Sequence, residues 1–225
     1  MLKSTLHGLR EPRPPAPPML RRRFLPAATR VAAATKGVAA STATATASTL
    51  LTSAGIFGAA NGLGFAISAL TGSHIHLDLI GTGVFAIAAA ATAGSGEPRQ
   101  RLSALGVGLW ATKLSSFLFY RALETRHDGR LTEQLATTGG AAGFWFISCV
   151  WGFVVSLPHV LAAGVPLAPR PRLGRLTDVL GVGLFALGLA LETTADYQKW
   201  QFKKDVAKKG GFCDVGVWQI SQHPN

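Results

Sequence analysis

The sequence predicts an all-α protein, a polytopic bundle of about five transmembrane helices. Of its 225 residues 48% are hydrophobic and 15% are charged, and the charges fall between apolar stretches instead of alternating with them. A transmembrane helix needs about 20 mainly apolar residues, so stretches of roughly this length identify the chain as an integral membrane protein. The five candidates are Thr49–Leu70, Leu77–Ala93, Leu102–Tyr120, Gly143–Ala163 and Leu176–Ala195.

The five stretches differ in how clearly the sequence defines them. The first is uncharged over its whole length, and the fourth has no Lys, Arg, Asp or Glu. The second is short and the third contains Lys113, so their ends are poorly defined. The fifth is apolar, apart from glycines, between Val179 and Leu191. Many Gly and Ala residues throughout favour close contacts between helices in lipid, because small side chains let backbones approach.

Residues 1–45 differ in composition from the rest of the chain. They contain eight Lys or Arg, one acid at Glu11, a Pro-rich patch, and then a run of Ala, Thr and Ser. Such composition is typical of organelle transit peptides, so we assign residues 1–45 to targeting and residues 46–225 to the membrane domain. A plastid (chloroplast) membrane is the expected destination, with mitochondrial or endoplasmic reticulum membranes as alternatives. The other interpretation is a disordered basic tail that touches anionic lipid.

The net charge of +11 does not indicate a nucleic-acid partner. Eight cations and one acid in residues 1–45 supply +7 of it, and the remaining charges cluster in loops between apolar stretches. A metal site is not predicted either, since His74 and His76 lack further ligands at matching spacing and the two cysteines form no Cys-x-x-Cys motif. The repeated His boxes of membrane di-iron oxygenases are missing, which excludes that class of oxidoreductase.

Polar residues cluster where the last apolar stretch ends. Glu192 and Asp196 lie four residues apart and share a helix face, which Lys199 and Lys203 continue. Two carboxylates just inside lysines can accept hydrogen bonds from sugar hydroxyls or an amide, with the cations available for phosphate. Trp218, further along, offers a flat surface for a ring. The alternative is an ordinary charged helix end at the membrane surface.

Lys113 lies near the middle of the third apolar stretch. A charge there costs several kcal/mol unless it faces a partner or a polar cavity. Trp110 and Tyr120 share its helical face, which would suit an elongated apolar ligand with a polar or phosphorylated end. Trp110, Lys113 and Tyr120 are therefore candidate substrate-binding residues. In the alternative interpretation Lys113 extends its aliphatic stem to the membrane interface.

Two separated regions of the sequence carry recognisable motifs. Residues 192–199 read Glu-Thr-Thr-Ala-Asp-Tyr-Gln-Lys, and residues 216–225 read Gly-Val-Trp-Gln-Ile-Ser-Gln-His-Pro-Asn. Upstream, residues 109–114 read Leu-Trp-Ala-Thr-Lys-Leu, followed by Arg121 and an Asp-Gly-Arg at residues 128–130. In this order the motifs resemble the C-terminal signature and the middle helix of the steroid 5α-reductase superfamily, in particular its broad branch of uncharacterised membrane reductases.

The resemblance implies a membrane-embedded, NADPH-dependent reductase that transfers hydride to a carbon–carbon double bond of a steroid, sterol or other lipid enone. NADPH is the implied cofactor, and the implied partners are a sterol-like lipid substrate and the membrane. Position by position, the resemblance assigns Glu192 and Asp196 to the cofactor segment, Lys203 to a phosphate contact and Asn225 to the nicotinamide end. His223 belongs to the same motif. Lys199 and Trp218 complete the candidate cofactor-binding set; the catalytic proton donor is not identified.

Two departures from the family pattern leave other function classes open. Gln222 stands where the signature has Arg. The family motif also continues into further helices, whereas this sequence stops at Asn225, so the chain is expected to lack part of the cofactor pocket and to be inactive alone. One alternative is an S-adenosylmethionine-dependent membrane lipid methyltransferase, because isoprenylcysteine methyltransferases resemble the family in a bundle that ends in an Arg-His-Pro-type motif. The other is a non-catalytic truncated membrane protein.

Overall fold

The structure, a computed structural model, is helical and has no strand among the residues that it describes. Contacts divide the chain into two compact units, residues 1–38 and 39–225, and the packing below concerns the second. The described residues are 27–94, 97–125, 132–165, 173–205 and 210–225. The helices are α1 Ala27–Thr71, α2 Leu77–Thr92, α3 Pro98–Thr125, α4 Thr132–Leu135, α5 Thr138–Gly164 and α6 Leu176–Lys204, followed by a 3₁₀ turn at Gly216–Gln219.

Four of these helices are long and apolar enough to cross a membrane: α1 from Ala34 onward, α3, α5 and α6. The predicted all-α class is confirmed. α2 has 16 residues, or about 24 Å at 1.5 Å per residue, which is shorter than a hydrocarbon core of roughly 30 Å. Where the sequence predicts five spans, the described chain therefore has four spans of full length and one shorter apolar helix.

α1 begins earlier than the hydrophobic pattern indicates. It starts at Ala27, directly after Pro26, and crosses the sequence-based boundary at residues 45 and 46 without interruption. The physical reason is that alanine is the strongest helix former, and a Pro just before a helix is compatible with its start. The proposed targeting role of residues 1–45 stays a prediction, and residues 1–26 lie outside the described part.

Glycines let α1 and α5 pack closely. A Cβ at Gly152 would lie 2.6 Å from Cε1 of Phe57, and one at Gly64 would overlap the indole of Trp145. The helices run antiparallel, since residue 57 of α1 meets residue 152 of α5 and residue 64 meets residue 145. Thr49 Oγ1 adds a 3.2 Å hydrogen bond to the Val160 carbonyl of α5. Close approach therefore depends on positions where no side chain stands between the helices.

α3 and α6 form a parallel seam with a constant residue offset. Arg99 donates two hydrogen bonds to Asp178, at 2.9 and 2.8 Å, and Lys113 contacts Glu192. Gly106 faces Phe185 between these two charged contacts. In all three cases the α6 residue lies 79 positions after its α3 partner (178 − 99, 185 − 106 and 192 − 113). The contacts recur every seven residues, about two helical turns, and so fix the register of α3 against α6.

A small histidine cluster closes the loop between α1 and α2. Ser68 Oγ accepts from Trp145 Nε1 at 3.2 Å and lies 3.1 Å from His74 Nδ1. His76 stacks on Trp145 with ring centroids 5.6 Å apart, and its Nε2 donates to the Gly64 carbonyl at 2.9 Å. Burial, and then the neighbouring His76, lower the pKa of His74 from its usual value, against a smaller opposite effect of its hydrogen bond to the Leu135 carbonyl.

This cluster predicts a pH-dependent stability. Because the pKa of His74 is lower in the folded protein, the unfolded chain binds a proton at a higher pH than the folded protein does. The free energy of unfolding is therefore highest above about pH 6.5 and decreases as the solution becomes more acidic. We expect the midpoint of thermal unfolding in detergent to decrease between pH 7.5 and 5.5. His74→Gln should flatten this dependence. An unaltered slope in His74→Gln would contradict the assignment.

Candidate functional site

Lys113 of α3 lies between two carboxylates of α6. Its Nζ donates to Glu192 Oε1 and to Asp196 Oδ2, each at 3.2 Å. Both acids reach the same ammonium group because they lie four residues apart, about one helical turn. The side chains of Lys113, Glu192 and Asp196 are 21%, 18% and 9% exposed. Lys113 therefore has partners inside the bundle and does not extend alone to the membrane interface.

Two neutral donors occupy the remaining carboxylate oxygens. Trp110 Nε1 donates to Glu192 Oε2 at 3.0 Å, and Asn225 Nδ2 donates to Asp196 Oδ1 at 2.8 Å. Each of the four oxygens thus has a protein donor and keeps a lone pair that can accept a further hydrogen bond. With one cation and two carboxylates, the formal charge is −1. We call these five residues, Trp110, Lys113, Glu192, Asp196 and Asn225, the carboxylate cluster.

The C-terminal segment is fastened to α6 beside this cluster. Gln198 Oε1 accepts from the Val217 amide at 3.0 Å, and the Ala195 carbonyl accepts from Trp218 Nε1 at 2.9 Å. Gly216 makes the turn possible, because it has φ +55° and a Cβ there would overlap the Gln198 side chain. These contacts hold the last residues of the chain against α6 and so place Asn225 at the cluster.

Trp218 serves the packing of this segment. Its side chain is buried, at 5% exposure, in a small core with Ala195, Phe202 and Cys213. The ammonium of Lys199 lies 4.2 Å from the indole centroid, a cation–π contact. The ring surface that the sequence offers to a cofactor ring is therefore covered in the structure, and the Lys199 ammonium is held on it.

The remaining predicted residues are Lys203, His223 and Tyr120. Lys203 and His223 are exposed, and the backbone amide of His223 donates to Ser221 Oγ at 3.2 Å. Tyr120 lies seven residues beyond Lys113 and packs edge-on against Trp200, with ring centroids 6.0 Å apart. Of the three candidate substrate-binding residues, Trp110 and Lys113 are brought together and Tyr120 belongs to a separate aromatic contact.

A cavity of about 250 Å³ lies between α2, α3 and α5. Its lining is mainly apolar, with three polar side chains at Ser103, Ser156 and His159. Trp110 also lines the cavity, while its indole N–H is bonded to Glu192. One residue therefore forms a wall of the apolar cavity and belongs to the carboxylate cluster.

Comparison with known sequences assigns the chain to a family. A family profile described as Protein of unknown function (DUF1295) matches residues 64–225, more than two thirds of the chain. The chain belongs to the DUF1295 family. This family is associated with steroid 5α-reductase-like proteins. No curated protein and no solved structure matches the chain.

The DUF1295 region contains the whole carboxylate cluster and the cavity, together with two pairings that the sequence did not predict. Arg99 and Asp178 were not identified as partners, nor was Lys113 paired with Glu192. Arg99 and Lys113, two of the four cations of α3, are 14 residues apart (113 − 99), as are Asp178 and Glu192, two of the three acids of α6 (192 − 178). Equal spacing lets two ion pairs form at once in either a parallel or an antiparallel arrangement, so it does not by itself assign the partners. The Gln198 contact with the C-terminal segment has no comparable sequence signal.

Proposed function

We propose that this DUF1295 protein is a membrane-embedded, NADPH-dependent reductase acting on a carbon–carbon double bond of a lipid. The observation that carries the proposal is the position of Trp110 between the apolar cavity and the carboxylate cluster. An apolar cavity beside a few convergent polar groups is the usual form of a small-molecule site. Here it would hold a lipid next to groups suited to a polar cofactor.

The residues of the cluster fit a nicotinamide nucleotide by their chemistry. The carboxylates of Glu192 and Asp196 can accept from hydroxyl or amide donors through their remaining lone pairs. The side-chain oxygen of Asn225 is an amide acceptor beside them. Lys203, exposed near the end of α6, would supply a cation for a phosphate group. Lys113 keeps the two acidic side chains together at one point of α3.

The bound cofactor would supply the hydride for the reduction. The protein would orient the cofactor and exclude water from it. Trp110 holds the Glu192 carboxylate from the cavity side, and Asn225 holds the Asp196 carboxylate from the C-terminal segment. Holding two reactants at a defined distance lowers the entropic part of the barrier. The motif resemblance at residues 192–199 and 216–225 supports the same assignment, whereas Gln222 removes one cation from the signature.

The proposal predicts that NADPH binds and that binding depends on Asp196. We expect Asp196→Asn to weaken NADPH binding about tenfold or more, because a charge-assisted acceptor is replaced by a neutral one. Titration of the purified protein in nanodiscs, followed by calorimetry, measures this. Asp178→Asn is the matched control: it also changes an acid of α6 paired with an α3 cation, but at the opposite end of the helix.

S-adenosylmethionine is titrated in parallel. NADPH binding that is lost in Asp196→Asn and kept in Asp178→Asn would support the reductase. Binding of S-adenosylmethionine instead would favour the methyltransferase class. A folded wild-type protein that binds neither ligand would contradict the proposal.

A further inference from the structure

Each donor side chain that lines the cavity already has a hydrogen-bond acceptor inside the protein. The lining contains four side chains that can donate, those of Ser103, Trp110, Ser156 and His159. Trp110 donates to Glu192 at 3.0 Å, and the other three are also engaged inside the protein. What such a cavity can offer a ligand depends on which lone pairs and which hydrogens remain.

His159 and Ser103 form one hydrogen-bonded pair. His159 Nε2 lies 3.2 Å from the Ala89 carbonyl, which can only accept, so Nε2 carries the proton. None of the described residues that line the cavity is a carboxylate, so nothing in this lining favours the doubly protonated ring. In the neutral ring Nδ1 is an acceptor, and it accepts the hydroxyl hydrogen of Ser103 at 2.8 Å. The hydrogen of Ser103 is thereby used, and both of its lone pairs remain.

Ser156 is engaged in the same way. Its hydroxyl donates to the Phe153 carbonyl at 2.7 Å. The contact with Ser53, at 3.3 Å, is then donated by Ser53, because Ser156 has a single hydrogen. Ser156 keeps one lone pair. Pro158 also lines the cavity and has no backbone N–H to donate. The available polar atoms of this lining are therefore acceptors.

We infer that the cavity binds an apolar molecule through a hydroxyl group that donates to Ser103 or Ser156, that is, a lipophilic alcohol or phenol. A ketone or an ether of the same shape has only an acceptor oxygen. In the cavity this oxygen would face other acceptors and find no donor, which costs binding free energy in an apolar site. The volume of about 250 Å³ exceeds the roughly 150 Å³ that holds benzene and lies below the range of about 300–1,000 Å³ for drug-sized ligands. It suits one or two rings.

The role of this alcohol as the reductase substrate rests on the proposed function, whereas its binding does not. If both hold, the substrate is an unsaturated lipid whose hydroxyl-bearing end occupies the cavity. The cavity would then select ligands by their hydroxyl group. Trp110 would stand between the hydroxyl-bearing end of the ligand and the carboxylates of the cluster.

The test compares 4-tert-butylphenol with its methyl ether, 4-tert-butylanisole, which differ in the hydrogen-bond donor. Binding to the full chain in nanodiscs is measured by calorimetry, with empty nanodiscs as the partition control. We expect the phenol to bind about tenfold more tightly after that correction, the equivalent of one well-made hydrogen bond in an apolar site. The double variant Ser103→Ala/Ser156→Ala should abolish the difference. Ser115→Ala, a serine of α3 outside the cavity lining, should preserve it.

Equal binding of the two probes to the wild-type protein, or tighter binding of the ether, would overturn the inference. That comparison needs no variant, so a variant that does not fold leaves the inference testable. A preserved preference in a folded double variant would also overturn it. NADPH is titrated separately: phenol selectivity without NADPH binding would remove the reductase proposal and leave the alcohol site standing.

Discussion

Replacement of Lys113 by methionine is expected to destabilise the protein by about 3 kcal/mol. The variant keeps the apolar stem of the side chain but removes the ammonium that Glu192 and Asp196 share. The two carboxylates then repel each other without a compensating cation. Removing one partner of a buried ion pair costs about 3–5 kcal/mol, and the lower end applies because these side chains retain some exposure. Unfolding by SDS in mixed micelles, followed by circular dichroism, measures the loss.

Two further variants separate charge from packing at this position. Lys113→Arg keeps a cation and should lose much less stability, whereas Lys203→Met removes an exposed lysine of α6 and should have little effect. In the Lys113→Met background, Glu192→Gln should restore part of the loss, because one uncompensated charge is removed. If Lys113→Met were as stable as the wild type, the lysine would not be holding the carboxylates.

Gly152→Ala is expected to destabilise the α1–α5 contact by about 1–3 kcal/mol, the usual cost of overpacking a filled core. The added Cβ would lie 2.6 Å from Cε1 and 2.8 Å from Cδ1 of Phe57. Phe57 is fully buried and packs edge-on against Phe85 with centroids 5.0 Å apart, so its ring cannot move aside without disturbing the core. The same SDS titration gives the change in free energy.

Gly143→Ala is the control in the same helix. A Cβ there meets nothing within 4 Å, so the substitution should stabilise α5 by about 0.5–1 kcal/mol through helix propensity alone. The two substitutions are chemically identical, and their expected effects have opposite signs. Stabilisation by both would show that α1 and α5 are not in close contact at Phe57.

Helices that are marked by a long apolar stretch were predictable from the sequence. The stretches around α3, α5 and α6 were located from their apolar composition, because a membrane span must satisfy its backbone internally and be apolar over its length. The N-terminal extent of α1 was not, since Ala and Thr favour helix without adding a strong hydrophobic signal. α2 was predicted to span the membrane, although its 16 helical residues are too short to cross the hydrocarbon core.

The members of the candidate site were predictable, but their pairing was not. A lysine within an apolar stretch and two acids four residues apart are local patterns, so Lys113, Glu192 and Asp196 were identified. Their contacts join residues 79 and 83 positions apart along the chain. Such pairing depends on which helices are neighbours, and composition does not contain this information. The burial of Trp218 against α6 was not predictable either, because a lone tryptophan does not indicate whether its ring is exposed or anchors a segment.

The seam between α3 and α6 has a consequence for how the protein enters the membrane. Arg99 and Lys113 stand 14 residues apart, about 21 Å along α3, and their acidic partners stand at the same two depths along α6. Each helix alone would present unpaired charge at mid-depth in lipid, at a cost of several kcal/mol. During synthesis α3 is complete long before α6, so Lys113 must remain near water, a translocation channel or a chaperone until Glu192 and Asp196 arrive. Stable insertion of α3 is thus coupled to that of α6.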